Sequence, residues 1–232
     1  MKHSKRYIEA AKKVKGRSLY SLDEGLNILA ETATAKFDES IDVAIRLGVD
    51  PRKADQMVRG TVILPKGTGK VTRVVVLANG SKEEEAKSAG ADEVGFAEVI
   101  EKIQGGWVDF DVLIATPDVM GQLGKLGKIL GPRGLMPNAK SGTVTFEVGQ
   151  AVRDAKSGKI AFRVDRNGIV HAAVGKKSFS VPDLKENVVS FIDTVNRLKP
   201  ASAKGVYVKS ITLSSTMGPG IRIDKNQMSE AE

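Results

Sequence analysis

The chain has 232 residues, of which 41% are hydrophobic and 28% are charged, so it is long enough for two globular domains and too apolar to be disordered. Cysteine is absent, which excludes disulfide scaffolds, thiolate nucleophiles and cysteine-ligated metal sites. The formal net charge of +8 at pH 7 favours a polyanionic partner.

The first residues, Met1 to Arg6, are followed by Tyr7-Ile8-Glu9 rather than by an apolar run. No stretch of about 18 apolar residues occurs anywhere in the sequence. We therefore expect neither a secretion signal nor a membrane span. The lack of cysteine fits a reducing, cytoplasmic setting.

The N-terminal third of the sequence predicts a helix followed by a half-buried strand. Ser21 and Glu24 have the spacing of a capping box, which predicts a helix that continues to about Thr34. From Ile41 to Val49, apolar residues alternate with polar or small ones. This alternation is typical of a strand with one buried and one open face.

The middle of the chain, from residue 71 to 157, alternates between short apolar strands and helices. The predicted strands are Val71–Ala78, Val94–Phe96 and Val112–Ala115, and the predicted helices are Lys82–Ser88, Glu98–Gln104, Asp118–Leu130 and Gly149–Lys156. Ser81 and Glu84 form a second capping-box pattern in front of the first of these helices. This order is typical of βαβ units with a parallel sheet covered by helices.

The last third of the sequence predicts further antiparallel strands. Arg166-Asn167-Gly168 lies between two alternating runs within Lys159–Val174, which predicts a hairpin with a type I′ turn. A helix is expected at Pro182–Leu198, then a last strand at Val206–Leu213 and a loose tail at Asp224–Glu232. With the first third, these elements suit an α+β domain with an antiparallel sheet.

Two short, polar, glycine-containing segments, Pro65–Lys70 and Lys156–Lys159, separate these regions as linkers do. We predict an α+β split domain (residues 1–67 plus 159–232) that is interrupted by an inserted Rossmann-like α/β domain (residues 68–158). The inserted residues hold 11 Lys and Arg against 12 Asp and Glu, a charge of −1, and the rest of the chain holds 25 against 16, a charge of +9. The polyanion site is therefore expected on the split domain.

Residues that could carry catalysis are few. The glycine-rich run Gly121–Gly134 suggests a phosphate-binding loop, but a Walker sequence needs Ser or Thr where Ile129 stands, so close packing of an apolar helix on a neighbour is the better interpretation. His3 and His171 are the only histidines, too few for a histidine-based metal cluster or catalytic triad. We expect no catalytic residue, metal or cofactor. Two other functions remain as alternatives to the specific RNA binding that is argued next. They are a nucleotide-dependent enzyme and a purely electrostatic nucleic-acid coat protein.

Three segments of the split domain have the composition of an RNA-binding surface. They are Lys36–Ser40, Arg163–Lys177 and Ser214–Gly220. Their cations suit phosphates, their hydroxyl groups and bare backbone suit ribose 2′-OH groups, and Phe37 and Met217 suit apolar contact with sugars or bases. The expected phosphate contacts include Lys36, Arg166 and Lys176.

Several motifs resemble one known family, and they cover almost the whole chain in order. They are Ala35-Lys36-Phe37-Asp38-Glu39, Asp50-Pro51-Arg52-Lys53-Ala54-Asp55-Gln56, Arg59-Gly60-Thr61-Val62, Gly131-Pro132-Arg133-Gly134-Leu135-Met136-Pro137-Asn138 and Ser215-Thr216-Met217-Gly218-Pro219-Gly220. On these motifs the sequence resembles the bacterial L1 family of large-subunit ribosomal proteins. The resemblance implies an α+β domain interrupted by a Rossmann-like domain, as predicted above.

The resemblance also implies a function without catalysis. Such a protein binds 23S ribosomal RNA, forms the mobile stalk at the tRNA exit (E) site of the large subunit and assists release of deacylated tRNA. It also represses translation of its own operon mRNA. The resemblance places RNA contacts at Lys36, Phe37, Ser40, Asp165, His171, Ser210, Thr216, Met217 and Gly218, and the charge pattern adds Arg163, Arg166 and Lys176. The chain departs from the family at Ser40, where relatives have Thr, and at Gly220, where others have Ser.

Overall fold

The computed structural model of the chain describes residues 4–14 and 18–225, apart from the side chain of Ser81. The helices are α1 (Lys5–Lys13), α2 (Leu22–Thr32), α3 (Ser81–Ser88), α4 (Ala97–Gln104), α5 (Met120–Leu123), α6 (Gly127–Leu130), α7 (Val148–Lys156) and α8 (Val181–Arg197). The strands are β1 (Ser40–Leu47), β2 (Arg59–Ile63), β3 (Val74–Leu77), β4 (Glu93–Gly95), β5 (Val112–Ala115), β6 (Lys159–Arg163), β7 (Ile169–Lys176), β8 (Val208–Ser215) and β9 (Ile221–Ile223). Within the described ranges, none of the helices combines the length and the apolar character that a membrane span requires.

The chain divides into two compact units. The first contains the described residues up to Gly69 and from Ile160 onward, and the second contains Lys70–Lys159. The first unit is built on a four-stranded sheet in the order β7-β1-β8-β9, and its neighbouring strands are antiparallel. The antiparallel sheet expected in this part of the chain is therefore confirmed.

One face of this sheet forms the core of the first unit. On β1, Ile41, Val43 and Ile45 are at most 1% exposed, whereas the residues between them are partly open, which confirms the predicted alternation. Helices α2 and α8 contribute side chains to the same core, among them Leu26 and Phe191. The sheet thus has one face packed on helices and one open face, as antiparallel sheets commonly do.

Helix α2 begins where the capping box predicts. The Ser21 hydroxyl accepts a hydrogen bond from Glu24 N, and the Glu24 carboxylate accepts one from Ser21 N. The reciprocal pair satisfies two backbone donors that the first turn of the helix leaves without partners. The side chain of Ser180 caps α8 in a similar way by accepting a hydrogen bond from Asp183 N.

The second unit contains a three-stranded parallel sheet in the order β4-β3-β5, which confirms the parallel pairing predicted for this region. Strand β3 is buried along its whole length because helices cover both faces. On one face Val75 and Leu77 pack with α4, and on the other Val74 and Val76 pack with α3 and α7. This is the layered arrangement of an α/β unit.

The helical segment predicted at Asp118–Leu130 is present, but it is not one regular α-helix. The chain instead alternates between 3₁₀ turns at Pro117–Val119 and Gly124–Leu126 and one-turn α-helices at Met120–Leu123 and Gly127–Leu130. Glycine is a poor helix former since it loses the most backbone freedom on folding. Three glycines in this segment leave too little helical preference for one continuous helix.

The predicted type I′ hairpin at Lys159–Val174 is wrong. Strand β6 lies in a two-stranded sheet with β2, whereas β7 pairs with β1. The connecting turn is closed by a hydrogen bond from Gly168 N to Asp165 O of 3.2 Å, and Gly168 has φ +77°. Asn167 does not have positive φ, which a type I′ turn requires at both central residues.

Several smaller differences concern element ends. Strand β3 begins at Val74 and not at Val71, which is 90% exposed. Helix α3 has Gly80 as its N-cap, so Ser81 is the first helical residue and not the capping residue that we predicted. The strand expected to end at Leu213 continues to Ser215 and is followed by β9, so it is not the last. Asp224 N donates to Tyr20 O at 2.9 Å, and the rest of the predicted tail, residues 226–232, lies outside the described residues, as does His3.

Candidate nucleic-acid interface

The open face of the four-stranded sheet carries mainly small and polar side chains. On β1 these are Ser40, Asp42, Ala44 and Arg46, which alternate with the buried residues. Directly paired residues of antiparallel strands point to the same face. The cross-strand partners that share this face are Ala173 and His171 on β7, Ser210, Thr212 and Ser214 on β8, and Arg222 on β9.

At one end of this face, two distant segments of the chain are joined by hydrogen bonds. The Thr216 hydroxyl accepts a hydrogen bond from Ser40 N at 2.9 Å, and Thr216 N donates to Ser40 O at 3.0 Å. Lys176 Nζ donates to the Ser40 hydroxyl at 2.8 Å. The structure therefore brings together Ser40, Lys176 and Thr216, which are three of the sequence-predicted site residues.

Two large apolar side chains stand in solvent beside this junction. Phe37, in the loop before β1, is 53% exposed, and Met217, in the turn after β8, is 49% exposed. Lys36 is exposed next to Phe37. Exposed apolar side chains beside a cation suit contact with the sugars and bases of a nucleic acid, whose phosphates attract the cation. We call Lys36–Ser40, Lys176 and Thr216–Gly218 the upper site.

The turn after β8 is tightly packed. A Cβ atom on Gly218 would overlap the hydroxyl of Ser215, which is 5% exposed. Gly218 N also donates to Ser215 O at 3.1 Å, which closes the turn. Glycine at this position therefore allows both the turn and a close approach of backbone to a ligand.

The other predicted site residues are spread along the sheet and beyond it. His171 is opposite Ala44 in the middle of the face, and Ser210 is opposite Arg46 near its far end. Asp165 and Arg166 belong to the turn that precedes β7, about 20 Å from Ser40 along the strand direction.

Arg163 and Asp165 have local structural surroundings. Arg163 is exposed on β6, outside the four-stranded sheet. The Asp165 carboxylate accepts hydrogen bonds from Ile169 N and Asn167 N, both 2.8 Å, and lies 3.7 Å from His171 Nε2. The hydrogen bond from Ile169 N is the main cause that lowers the pKa of Asp165, with Asn167 N and His171 also contributing. One oxygen of the Asp165 carboxylate thus stabilises the turn in which the residue lies.

Sequence reasoning missed several polar residues of the open face. They are Asp42, Arg46, Thr212 and Arg222. The alternation on β1 already contained the signal for Asp42 and Arg46, since they follow Ser40 at intervals of two. The residues on β8 and β9 required the strand pairing, which the sequence does not display.

Asp42 is an acidic residue in the middle of this face. It is half-buried between Ala173 and Ser214, and within the described part of the chain no group donates a hydrogen bond to its carboxylate. Burial raises the pKa of the Asp42 carboxyl, and the positive charges of Lys176 and His171 offset this only in part. The ionised carboxylate is therefore less stable here than in water.

Replacing Asp42 with Asn is expected to raise the melting temperature at neutral pH. The pKa of Asp42 in the folded state lies above its ordinary value of 3.8, so the protonated side chain stabilises the folded state at pH values below 3.8. This stabilisation is lost as the pH rises through the folded-state pKa. The neutral amide of the variant avoids this loss of stability. Because the side chain is only half-buried, the expected rise in melting temperature is about 1–2 °C. Thermal unfolding at pH 7 and at pH 3 measures it, and the two proteins should differ only at pH 7. A lower melting temperature for Asp42→Asn at pH 7 would show that the positive charge of Lys176 outweighs burial.

The glycine-rich run of the second unit does not pack as predicted. A Cβ atom on Gly121, Gly124 or Gly127 would meet no atom within 4 Å, so these glycines do not serve close contact within the chain. Lys125, Lys128 and Arg133 are exposed in the same run.

Among the described residues, no group of three or more His, Cys, Asp or Glu side chains is placed to hold a metal ion.

Comparison with known proteins gives consistent matches. The profile of the family described as ribosomal protein L1p/L10e family matches residues 29–219. The chain is 57% identical over 234 aligned residues to the large ribosomal subunit protein uL1 of Corynebacterium glutamicum strain R, and the alignment covers 99% of each chain. The uL1 protein of the strain ATCC 13032 matches with the same identity and coverage.

Proposed function

The chain belongs to the ribosomal protein L1p/L10e family, and from that premise we propose that it binds 23S ribosomal RNA through the open face of its four-stranded sheet. It is a structural protein of the large ribosomal subunit and works in the cytoplasm as part of the ribosome. It acts by binding and not by catalysis.

One observation carries the proposal: the upper site joins two exposed apolar side chains, cations and hydroxyl groups at one end of an open polar face. Phe37 and Met217 are each about half exposed, and Lys36 and Lys176 lie beside them. RNA presents sugars, unstacked bases and phosphates together, so a surface of this composition fits it better than it fits a protein partner. The rest of the face extends the contact along His171 and Ser210.

The distribution of charge indicates which of the two domains contributes most of the RNA affinity. The RNA-binding domain comprises residues 1–67 and 159–232 and carries the net positive charge, and residues 68–158 form the inserted domain with a charge of −1. Nucleic-acid affinity depends strongly on cations that neutralise phosphates. We therefore assign most of the affinity for ribosomal RNA to the first domain, and a chain that lacks residues 68–158 should still bind.

The finer roles are proposed from the family resemblance alone. They are formation of the mobile stalk at the tRNA exit site, help in the release of deacylated tRNA, and repression of the chain's own operon mRNA. Repression requires that the messenger carry a site shaped like the ribosomal one, because one surface would bind both. E-site tRNA and the operon mRNA are therefore its proposed partners besides 23S RNA.

The test is a comparison of affinities across a salt series. We expect the chain to prefer the stalk segment of 23S RNA over an unrelated structured RNA of equal length by at least about 1000-fold, the lower range for specific nucleic-acid binding. The three cations Lys36, Arg166 and Lys176 predict a slope of log K against log salt of roughly −2 to −3. The preference should persist at high salt, since hydroxyl and apolar contacts do not release counterions.

Two outcomes would contradict the proposal. Equal affinity for both RNAs with a steep salt dependence would indicate a purely electrostatic nucleic-acid coat protein instead. A thermal shift caused by a nucleoside triphosphate would favour a nucleotide enzyme that uses the second unit.

A further inference from the structure

Glu39 stands out because it is a carboxylate in the interior of the first unit. It is 1% exposed, and it is the one acidic or basic residue among the buried polar residues of the described chain, which are Thr32, Glu39, Thr116, Asn187 and Ser215. A buried charge is very costly unless hydrogen bonds compensate it. The local structure must therefore supply those hydrogen bonds.

The compensation comes from backbone N–H groups on both sides of the upper site. Glu39 Oε1 accepts a hydrogen bond from Ala35 N at 2.7 Å, and Oε2 accepts one from Met217 N at 3.0 Å. The first donor precedes Lys36 and Phe37 directly, and the second belongs to the turn that carries Met217 and Gly218. One carboxylate thus joins two segments of the proposed RNA surface, and Glu39 itself lies 178 residues from Met217 in sequence.

The pKa of Glu39 agrees with this geometry. Burial by itself would raise the pKa, but the hydrogen bonds from Ala35 and Met217, the Ser215 hydroxyl and the charge of Arg6 together hold it below its ordinary value. Ser215 Oγ has no partner of good hydrogen-bond geometry in the described chain, so we take its contact with Glu39 as weaker than the two backbone hydrogen bonds. Glu39 is therefore ionised at neutral pH.

The backbone beside this carboxylate ties in a third segment. Lys177 N donates to Glu39 O at 2.8 Å, and Ser178 donates to the Asp38 carboxylate from both its N–H and its hydroxyl, at 3.0 and 2.9 Å. Lys176, which donates to Ser40, directly precedes this segment. Every segment of the upper site is thus bonded to residues 38–40.

We propose that Glu39 is a positioning residue that holds the loop with Lys36 and Phe37 and the turn with Met217 and Gly218 in the arrangement that binds RNA. The inference rests on the proposed function of this surface. The carboxylate is buried and both its oxygens accept backbone hydrogen bonds, so it acts on RNA only through the two segments. A surface that is ordered before binding loses less conformational entropy on binding.

The direct test is Glu39→Gln, measured as affinity for the 23S RNA segment. Glutamine has nearly the same shape but only one acceptor oxygen, so its NH₂ group would face either Ala35 N–H or Met217 N–H. We expect affinity to fall by at least about tenfold. The slope of log K against log salt should stay unchanged, because no phosphate contact is removed. Wild-type affinity in a folded Glu39→Gln protein would overturn the proposal.

A matched control separates positioning from general destabilisation. Asn187 is also fully buried in the first unit, where its side chain accepts from Lys66 N and donates to Gly67 O and Val174 O, none of which belongs to the upper site. Asn187→Ala should lower the melting temperature and keep RNA affinity, at a temperature where both variants are folded. An equal loss of affinity in both variants would show that Glu39 acts only through stability.

A double-mutant cycle with Met217→Ala gives a further readout. If Glu39 acts by positioning Met217, the double variant should lose clearly less affinity than the product of the two single losses, because the side chain is already misplaced in Glu39→Gln. Multiplicative losses would contradict this coupling.

A measurement on the unmodified protein covers the case in which Glu39→Gln does not fold. The amide protons of Ala35 and Met217 should exchange with solvent at least about 100-fold more slowly than the amide of exposed Lys36, because both are bonded to a buried acceptor. Equally fast exchange would overturn the inference. Failure of the wild-type chain to discriminate RNAs would instead contradict the proposed function, so the two failures are distinguishable.

Discussion

Replacing Gly218 with alanine is expected to weaken binding to the 23S RNA segment roughly 30- to 100-fold, a loss of about 2–2.7 kcal/mol. The added Cβ atom would overlap the Ser215 hydroxyl beneath the turn, so the turn would have to move. Movement of the turn would displace Met217 and its hydrogen bond to Glu39. The Cβ atom would also obstruct RNA that approaches the backbone closely.

Gly124→Ala is the matched control for this prediction. Its Cβ atom would meet no atom within 4 Å, and its φ of −53° suits any residue. The same chemical change should therefore leave affinity for the 23S RNA segment within about twofold of wild type. Calorimetric titration at one fixed salt concentration would compare the three proteins. Full affinity of Gly218→Ala would mean that RNA does not depend on the geometry of this turn.

Replacing Phe191 with alanine is expected to destabilise the first unit by about 3–5 kcal/mol, the usual cost of removing a buried aromatic side chain. Phe191 is 0% exposed and packs edge-on against Phe162, with 5.2 Å between ring centroids. It belongs to the core beneath the sheet whose open face carries the proposed RNA site. Total stabilities are typically about 5–15 kcal/mol, so a large fraction of RNA-competent protein should be lost on mild heating.

The single tryptophan makes this prediction specific to one unit. Trp107 lies in the second unit against Phe110, so its fluorescence reports unfolding of that unit, whereas circular dichroism reports both. In urea, Phe191→Ala should shift the circular-dichroism transition and leave the fluorescence transition in place. Phe146→Ala, at a side chain that is 57% exposed, serves as the control and should shift neither. A fluorescence transition that moves with Phe191→Ala would show that the two units unfold as one.

Elements with strong local patterns were predicted well. The alternation of β1, the capping box of α2 and the apolar strands β3 and β5 each depend on neighbours within a few residues, and the structure contains them. Local patterns failed where they conflicted. The run Asp118–Leu130 has apolar residues at helical spacing, but its glycines disfavour a continuous helix.

The sequence indicates the segments that form the proposed upper site, but it does not indicate how they are connected. The segments Lys36–Ser40 and Thr216–Gly218 were found from their residue types and from the family resemblance. Their junction through Thr216 and Ser40 depends on the pairing of β1 with β8, two strands far apart in sequence. The role that we propose for Glu39 depends on tertiary contacts, because an acidic residue next to a loop in the sequence usually lies in solvent.

The sequence by itself determined the elements with clear periodicity, the basic charge of the split domain and the membership in a ribosomal family. These properties depend on residue type and short spacing, which the chain displays directly. Only the tertiary structure decided that β6 and β7 enter different sheets, that Asp42 and Arg222 share the open face, and that the Glu39 carboxylate is buried between two distant backbone donors. Strand pairing and burial result from packing the whole chain, and no local pattern specifies which distant segments will meet.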